Sequence, residues 1–309
     1  MIKSLLLCVF LYSSIAVCQK KICITVDDLP TVSYSLKTSQ VDLLITNKLF
    51  NAFKDNNIVA IGFVNESKLY KKGKLDPQKV HLLDLWLQSG LDLGNHTFSH
   101  VDYNKVSDIV FFDDLLKGEK VIKPLMHKYG KTPKYFRHPY LHAGSDSISY
   151  KKLKTFLNDN NYIVSPVTID NDDYLFAKSY HNAFVDKNET LMKEIGEKYI
   201  NYMEQKVLFF ESKSKEIFNR EITQTLLIHA SLLNADYIEN LIIMLKKHNY
   251  SFVSQEEALK TPEYSTEVTS YTQYGYSWIY RWGFSMGNDK KIMEGDVATP
   301  DEIINLSKK

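Results

Sequence analysis

The chain has 309 residues, 44% of them hydrophobic and 24% charged, with 38 Lys and Arg against 37 Asp and Glu. This is an ordinary soluble globular composition, enough for one large domain or two small ones. A net charge this close to zero argues against nucleic acid as a partner.

Residues 1–18 read as a secretory signal peptide. Lys3 provides the positive start, residues 5–17 are apolar apart from Ser13 and Ser14, and Ala16-Val17-Cys18 places small residues before a cut at Gln19. The run is short for a membrane span. The expected location is therefore exported, periplasmic or secreted, with no integral span after signal removal. Lipid anchoring through Cys18 is the alternative processing, against which bulky Val17 stands. Loss of the signal removes Lys3, Cys8 and Cys18 and leaves Cys23 as the single cysteine. No intramolecular disulfide is then available, and stability rests on the core.

After the signal, strand and helix patterns alternate. Residues 22–26 form a β-branched run that ends on Asp27, Asp28, Leu29 and Pro30. Neighbouring side chains on a strand point opposite ways, so the two carboxylates are expected to serve different roles at the strand's exit. A helical pattern follows over 41–53, a strand over 58–64, a helix over 77–88 with Pro77 in its first turn, and a short strand over 91–94. One helix is expected over 107–129, then a strand at 135–137, a helix at 148–158 and a strand at 162–169. Residues 188–220 read as a long, strongly charged helical excursion inserted into the domain, a solvated amphipathic helix in preference to a partner surface. Strands at 225–228 and 251–253 flank a helix at 236–248, and Ser254 with Glu257 signals a capping box.

Seven strands separated by helices imply an α/β fold with a parallel sheet closed, or nearly closed, into a barrel. In such barrels chemistry collects at the C-terminal strand ends. Those ends carry Asp27 and Asp28; His96 and His100; Arg137 with Pro139 and Tyr140; Asp170 and Asp173; and His229. Polar residues at successive exits point to one site. His96 and His100, four apart and expected on one side of a helical turn, join a carboxylate as three ligands of the kind zinc accepts, with a fourth position open to water. Alone, such a histidine pair is more often merely solvated; joined to Asp-Asp at a strand end it is specific. A metal with a nearby carboxylate is the equipment of metal-assisted hydrolysis.

These residues resemble the polysaccharide deacetylases, carbohydrate esterase family 4, whose catalytic region is the NodB homology domain. Thr25-Val26-Asp27-Asp28, His96-Thr97-Phe98-Ser99-His100, Arg137-His138-Pro139-Tyr140, Asp170-Asn171-Asp172-Asp173-Tyr174 and Leu226-Leu227-Ile228-His229 occur in the family's order, from residue 22 to about 259. The resemblance implies a distorted (β/α)7 barrel and a divalent metal, zinc first, on Asp28, His96 and His100. It implies Asp27 as base paired with Arg137, His229 as acid held by Asp173, the Tyr140 backbone N–H at the oxyanion, and Leu226 in the acetyl pocket. Pro139 and Tyr174 fall in the substrate groove.

The chain also departs from the family pattern. Leu29 stands where glycine is usual, and a positive φ there would strain it. His138, Leu141 and Tyr174 replace the usual proline, glycine and tryptophan. The resemblance thus implies removal of N-acetyl groups from a carbohydrate by a catalytic domain over 19–260, with an insertion near 188–220. An O-acetyl esterase of the xylan type, an amidohydrolase of a non-sugar C–N bond, and a non-catalytic carbohydrate-binding protein remain alternatives. The extension at 261–309 carries many tyrosines and tryptophans, which either pack the tail onto the barrel or stack on sugar.

Overall fold

The computed structural model describes residues 19–36 and 38–309; the expected signal peptide, residues 1–18 with Cys18, lies outside the described residues. Seven strands form one parallel sheet: β1 (Lys20–Val32), β2 (Ile61–Val64), β3 (Asp92–Asn95), β4 (Tyr135–Phe136), β5 (Ile163–Val164), β6 (Gln224–Ser231) and β7 (Tyr250–Phe252). Their order is β5-β4-β3-β2-β1-β6, with β7 pairing the first residues of β1. Beyond β5 the chain reaches β6 through one parallel bridge, Ile169 to Leu226. The sheet therefore curls into a distorted (β/α)7 barrel whose seam is held by very little ladder.

On β1, Ile22, Ile24 and Val26 are fully buried and belong to the main apolar core, along with Ile45, Leu49 and Phe53 of α1 (Ser39–Asp55) and Ile238, Leu241 and Leu245 of α8 (Leu232–Lys247). Alternation turns Cys23, Thr25 and Asp27 the other way, into the barrel. The interior is polar there: Arg137 Nη2 donates to Thr25 Oγ1 (2.9 Å) and Ser165 Oγ (3.2 Å), and Ser165 donates to Gln255. Burial pushes the Cys23 thiol up to about 12, which leaves it an inert apolar filler.

The helices follow their sequence signals closely at several ends. Asp76 caps α2 (Pro77–Gln88) ahead of Pro77, and Ser254 accepts the Glu257 N–H of the short α9 (Gln255–Ala258). Glu257 does not complete a reciprocal box, because its carboxylate pairs with Lys21 at 2.8 Å.

The expected single helix over 107–129 is two, α3 (Asp108–Lys117) and α4 (Ile122–His127). Gly118 ends the first, where a Cβ would lie 2.7 Å from the Thr97 backbone carbon. Buried Glu66 starts the second by accepting the Val121 and Ile122 N–H groups, each at 2.7 Å.

The next helices are α5 (Ser147–Asp159), α6 (Asp173–Val185) and α7 (Glu189–Phe218). On α7, Tyr199, Tyr202, Met203, Val207 and Phe210 enter the main core, so one face of this amphipathic helix walls the barrel while the other is exposed. The C-terminal segment carries α10 (Trp278–Ser285) and α11 (Asp301–Ser307). It lies along the weak seam: the Trp278 N–H donates to Val167 O (2.7 Å) and Ser277 Oγ to Thr168 O (2.7 Å). Trp278, Tyr280 and Trp282 are buried. Among the described residues no helix is long and apolar enough to cross a membrane.

Candidate active site

At the exit of β1 the alternation breaks. Asp28 takes a left-handed backbone (φ 69°), and the pairing register shifts after Val26 on one side and after Asp27 on the other. Two adjacent carboxylates that a regular strand would send to opposite faces thereby enter one cleft. The positive φ falls on Asp28 and not on Leu29, so leucine carries no such strain. Its side chain fills the space left by Gly62, where a Cβ would sit 2.0 Å from Leu29 Cδ1.

His96 and His100 are brought together by an irregular loop and not by a helical turn, with Thr97 (φ 64°) and His100 (φ 58°) left-handed. Such residues cost roughly 1–3 kcal/mol each unless the surroundings hold them. Here Asn95 Oδ1 accepts the Thr97 N–H (2.7 Å), Thr97 Oγ1 accepts the His100 N–H (3.0 Å), and Asp114 binds Ser99 through N–H and hydroxyl. The two imidazoles meet edge to face at 4.8 Å. His96 Nδ1 engages Arg137 O at 2.8 Å, which directs Nε2 into the cleft.

There His96 Nε2 and His100 Nε2 lie 3.7 and 3.6 Å from the same oxygen, Asp28 Oδ1. Those separations are too long for hydrogen bonds, and Asp28 Oδ1 is buried with no hydrogen-bond partner. They match donors about 3.4 Å apart around one tetrahedral ion with ~2.0–2.2 Å bonds. All three ligand atoms fall within 4.8 Å of one another. Burial and the neighbouring His100 hold His96 well below its ordinary pKa, and burial lowers His100 against the pull of Asp28. Both rings are therefore neutral, with lone pairs to give. Burial penalises the Asp28 carboxylate as well, but Lys68, His100, His229 and His96 outweigh it and keep Asp28 ionised far below the usual range. Two imidazoles and one carboxylate are a donor set that fits a divalent cation.

Asp27 is almost fully buried beside this group, with Oδ2 3.8 Å from His96 Nε2 and 3.7 Å from Arg137 Nη1. Burial pushes its pKa up to about 6; the charges of Arg137 and His229 pull the other way and limit the rise. Arg137 itself is fully buried, and its guanidinium lies 4.7 Å from the centre of the Phe63 ring.

Across the cleft, His229 stands in register with Asp27. Asp173 Oδ1 binds His229 Nδ1 at 2.6 Å, while Oδ2 accepts the His229 N–H (2.8 Å) and Asn234 Nδ2 (2.7 Å). Burial disfavours charge on the ring, yet Asp173, by charge and hydrogen bond, raises His229 to about 9.

Leu226 does not share this face. It pairs with Ile24, whose side chain points to the outer helices, whereas Leu227 pairs with Thr25 on the inner side, two residues before His229. Leu227 and not Leu226 is thus the leucine next to the cleft. Pro139 is buried. Tyr140 is half exposed, in a left-handed turn (φ 57°), with its ring 4.5 Å from His100. Tyr174 is also half exposed, its ring 6.4 Å from His229.

Three contributors escape motif reading. Lys68 donates to Asp28 O (2.9 Å) and lies 3.2 Å from Asp28 Oδ2, on the side away from the histidines. Asn234, near the start of α8, links Asp173 to Tyr199. Tyr34 donates to Tyr174 O at 3.1 Å. The only advance signal among them is that Asn234 follows His229 by five residues at a helix start capped by Ser231.

The model of the polysaccharide deacetylase family matches residues 15–156, just under half of the chain. A peptidoglycan-N-acetylglucosamine deacetylase of Bacillus cereus is 26% identical over 133 residues, which cover 43% of this chain. The chain spans 42% of the length of that curated relative. Two solved structures share the fold. One is a peptidoglycan N-acetylglucosamine deacetylase in complex with 4-naphthalen-1-yl-N-oxidanyl-benzamide (TM-score 0.52, 17% identity, 79% of this chain and 90% of that one). The other is a polysaccharide deacetylase from Bacillus cereus (TM-score 0.52, 18% identity, 76% and 92%). A mutant of a CE4 family pseudoenzyme is also similar (TM-score 0.50, 13% identity, 78% and 68%). The N-terminal part of the chain is thus similar to the polysaccharide deacetylase family, and the solved structures share its fold.

Proposed function

We propose that the chain is an exported, metal-dependent hydrolase that removes N-acetyl groups from a carbohydrate, with Asp28, His96 and His100 holding a divalent ion, zinc first. The observation that carries this reading is the convergence of three ligand atoms on one buried, otherwise unpartnered spot, with a buried carboxylate and a cationic histidine on either side. When bound, the ion supplies Lewis acidity at the acetyl carbonyl and lowers the pKa of water. Asp27, ionised at neutral pH with a value of about 6, takes the proton from the attacking water. Arg137 keeps that carboxylate charged against its burial. The Tyr140 backbone N–H donates to the oxyanion as it develops.

His229, protonated at neutral pH, gives its proton to the departing amine, and Asp173 fixes the ring by taking its Nδ1 side. Tyr174 and Tyr140 flank the opening, their rings beside His229 and His100. The relatives named for peptidoglycan N-acetylglucosamine make that sugar the first substrate to try. The test is acetate release from peptidoglycan, chitin oligomers and acetylated xylan, each with and without chelator. Release from the N-acetylated glycans alone, abolished by chelator, is the expected result. Release from xylan alone assigns an ester, and release unaffected by chelator overturns the metal mechanism.

A further inference from the structure

The C-terminal segment does more than cover the seam, because residues 273–276 reach the rim of the cleft. Gly275 lies so close to the Tyr140 carbonyl that a Cβ there would be 1.8 Å from the oxygen. Asn104 Nδ2 donates to Gln273 O at 3.1 Å, tying the same segment to the loop that follows His100. Arg281 makes the third tie. It is 1% exposed and shares no hydrogen bond or ion pair with a carboxylate among the described residues. Its guanidinium instead donates to Leu141 O (2.8 Å), Tyr274 O (3.1 Å) and, through Nε, Tyr276 O (3.2 Å). Its Nη1 has no hydrogen-bond partner and the group lies 5.1 Å from the centre of the Trp278 ring, so the hydrogen bonds this buried cation makes all go to backbone carbonyls and fix the tail against the turn that carries Tyr140.

At the tip of this strap, Tyr274 is 55% exposed, the same as Tyr140. It is not loose. Its ring stacks on Tyr276 at 5.5 Å and 30°, and Tyr276 in turn meets Tyr280 and Phe284, which root the stack in the body of the protein. An exposed aromatic face held rigid from behind loses little conformational entropy when it is covered, and its apolar surface suits the C–H face of a pyranose.

Resting on the deacetylase reading, we propose that Tyr274 is a specificity-determining residue: with Tyr140 it forms an aromatic platform for a sugar ring neighbouring the one that loses its acetyl group. Its occupant is another residue of the same glycan chain, so the tail makes the enzyme prefer oligomers to single sugars.

The test is steady-state acetate release by wild type, Tyr274→Ala and Tyr274→Trp, with N-acetylglucosamine and its β-linked tetramer as substrates. For Tyr274→Ala, KM for the tetramer is expected to rise about tenfold, in keeping with one lost stacking contact. Its kcat is expected to hold, and its activity on the single sugar to be unchanged. Tyr274→Trp is expected to keep wild-type KM. An unaltered tetramer KM in Tyr274→Ala, while wild type releases acetate, overturns this role and leaves the deacetylase reading standing. Equal losses on both substrates, with no rescue by tryptophan, make the residue structural and overturn it too. Wild type inactive on both sugars, but active on another substrate, overturns the reading beneath it.

Discussion

Asp173→Asn is the perturbation that isolates the acid half of the site. Asp173 is fully buried and accepts three hydrogen bonds, two from His229 and one from Asn234. Its charge is the main influence raising His229 from the ordinary 6.5 to about 9 against burial. Returning the ring to its ordinary value costs about 3 kcal/mol of protonation free energy at ~1.36 kcal/mol per pH unit. At pH 8 the wild-type ring is mostly charged and the variant ring mostly neutral. The protonated fraction then drops from about nine-tenths to about 3%, so the rate is expected to fall roughly 30-fold, and further if burial carries the ring below 6.5.

The sign runs the same way for folding. His229 contributes stability that is fully present below about 6.5 and is lost as pH rises through about 9, so the variant's stability deficit is largest in acid and shrinks above that window. The assay is the pH profile of acetate release, with His229 followed by NMR titration. The basic limb of kcat/KM should move from near 9 to 6.5 or below. A variant whose basic limb stays near 9 refutes the assignment of His229, held by Asp173, as the acid.

Asp27→Asn should keep the metal and lose at least ~10²-fold in rate, measured as acetate release alongside bound-metal content; near-normal turnover would show that another group takes the proton. The wild-type acid limb should lie at about 6 or lower, since Asp27 must be ionised and a bound cation draws its value down. A limb well above 6 counts against it. Gly62→Ala drives a methyl against Leu29 Cδ1 at 2.0 Å and Trp86 at 3.3 Å, and should cost about 1–3 kcal/mol in chemical denaturation. Unchanged stability would mean that Leu29 is not wedged there.

Much of the fold was legible because β-branched runs alternate with amphipathic helices at spacings that leave little choice of topology, and all seven strands lie where that pattern puts them. What sequence pattern cannot carry is local backbone irregularity. Strict alternation separates Asp27 from Asp28 and gives no reason for a left-handed Asp28, yet that one φ angle puts both in the cleft. The histidine spacing reads as helical, whereas Asn95 and Asp114 build a loop with the same result.

The leucine of the fifth motif was misplaced for the opposite reason: motif likeness favoured Leu226 where plain alternation favours Leu227. Lys68 and Asn234 arrive from elements whose direction only the tertiary fold sets. The wall formed by α7 was hidden by its charge, most of it on exposed positions, although Lys206 and Glu211 are buried on the core side with Tyr202 and Phe210.

The central claim is that Asp28, His96 and His100 hold a catalytic ion, and metal content measured together with activity tests it most directly. Purified protein should carry about one divalent ion per chain, chelation should remove ion and acetate release together, and His96→Ala should retain neither. Protein that is stripped of metal and still releases acetate at the original rate would contradict the account.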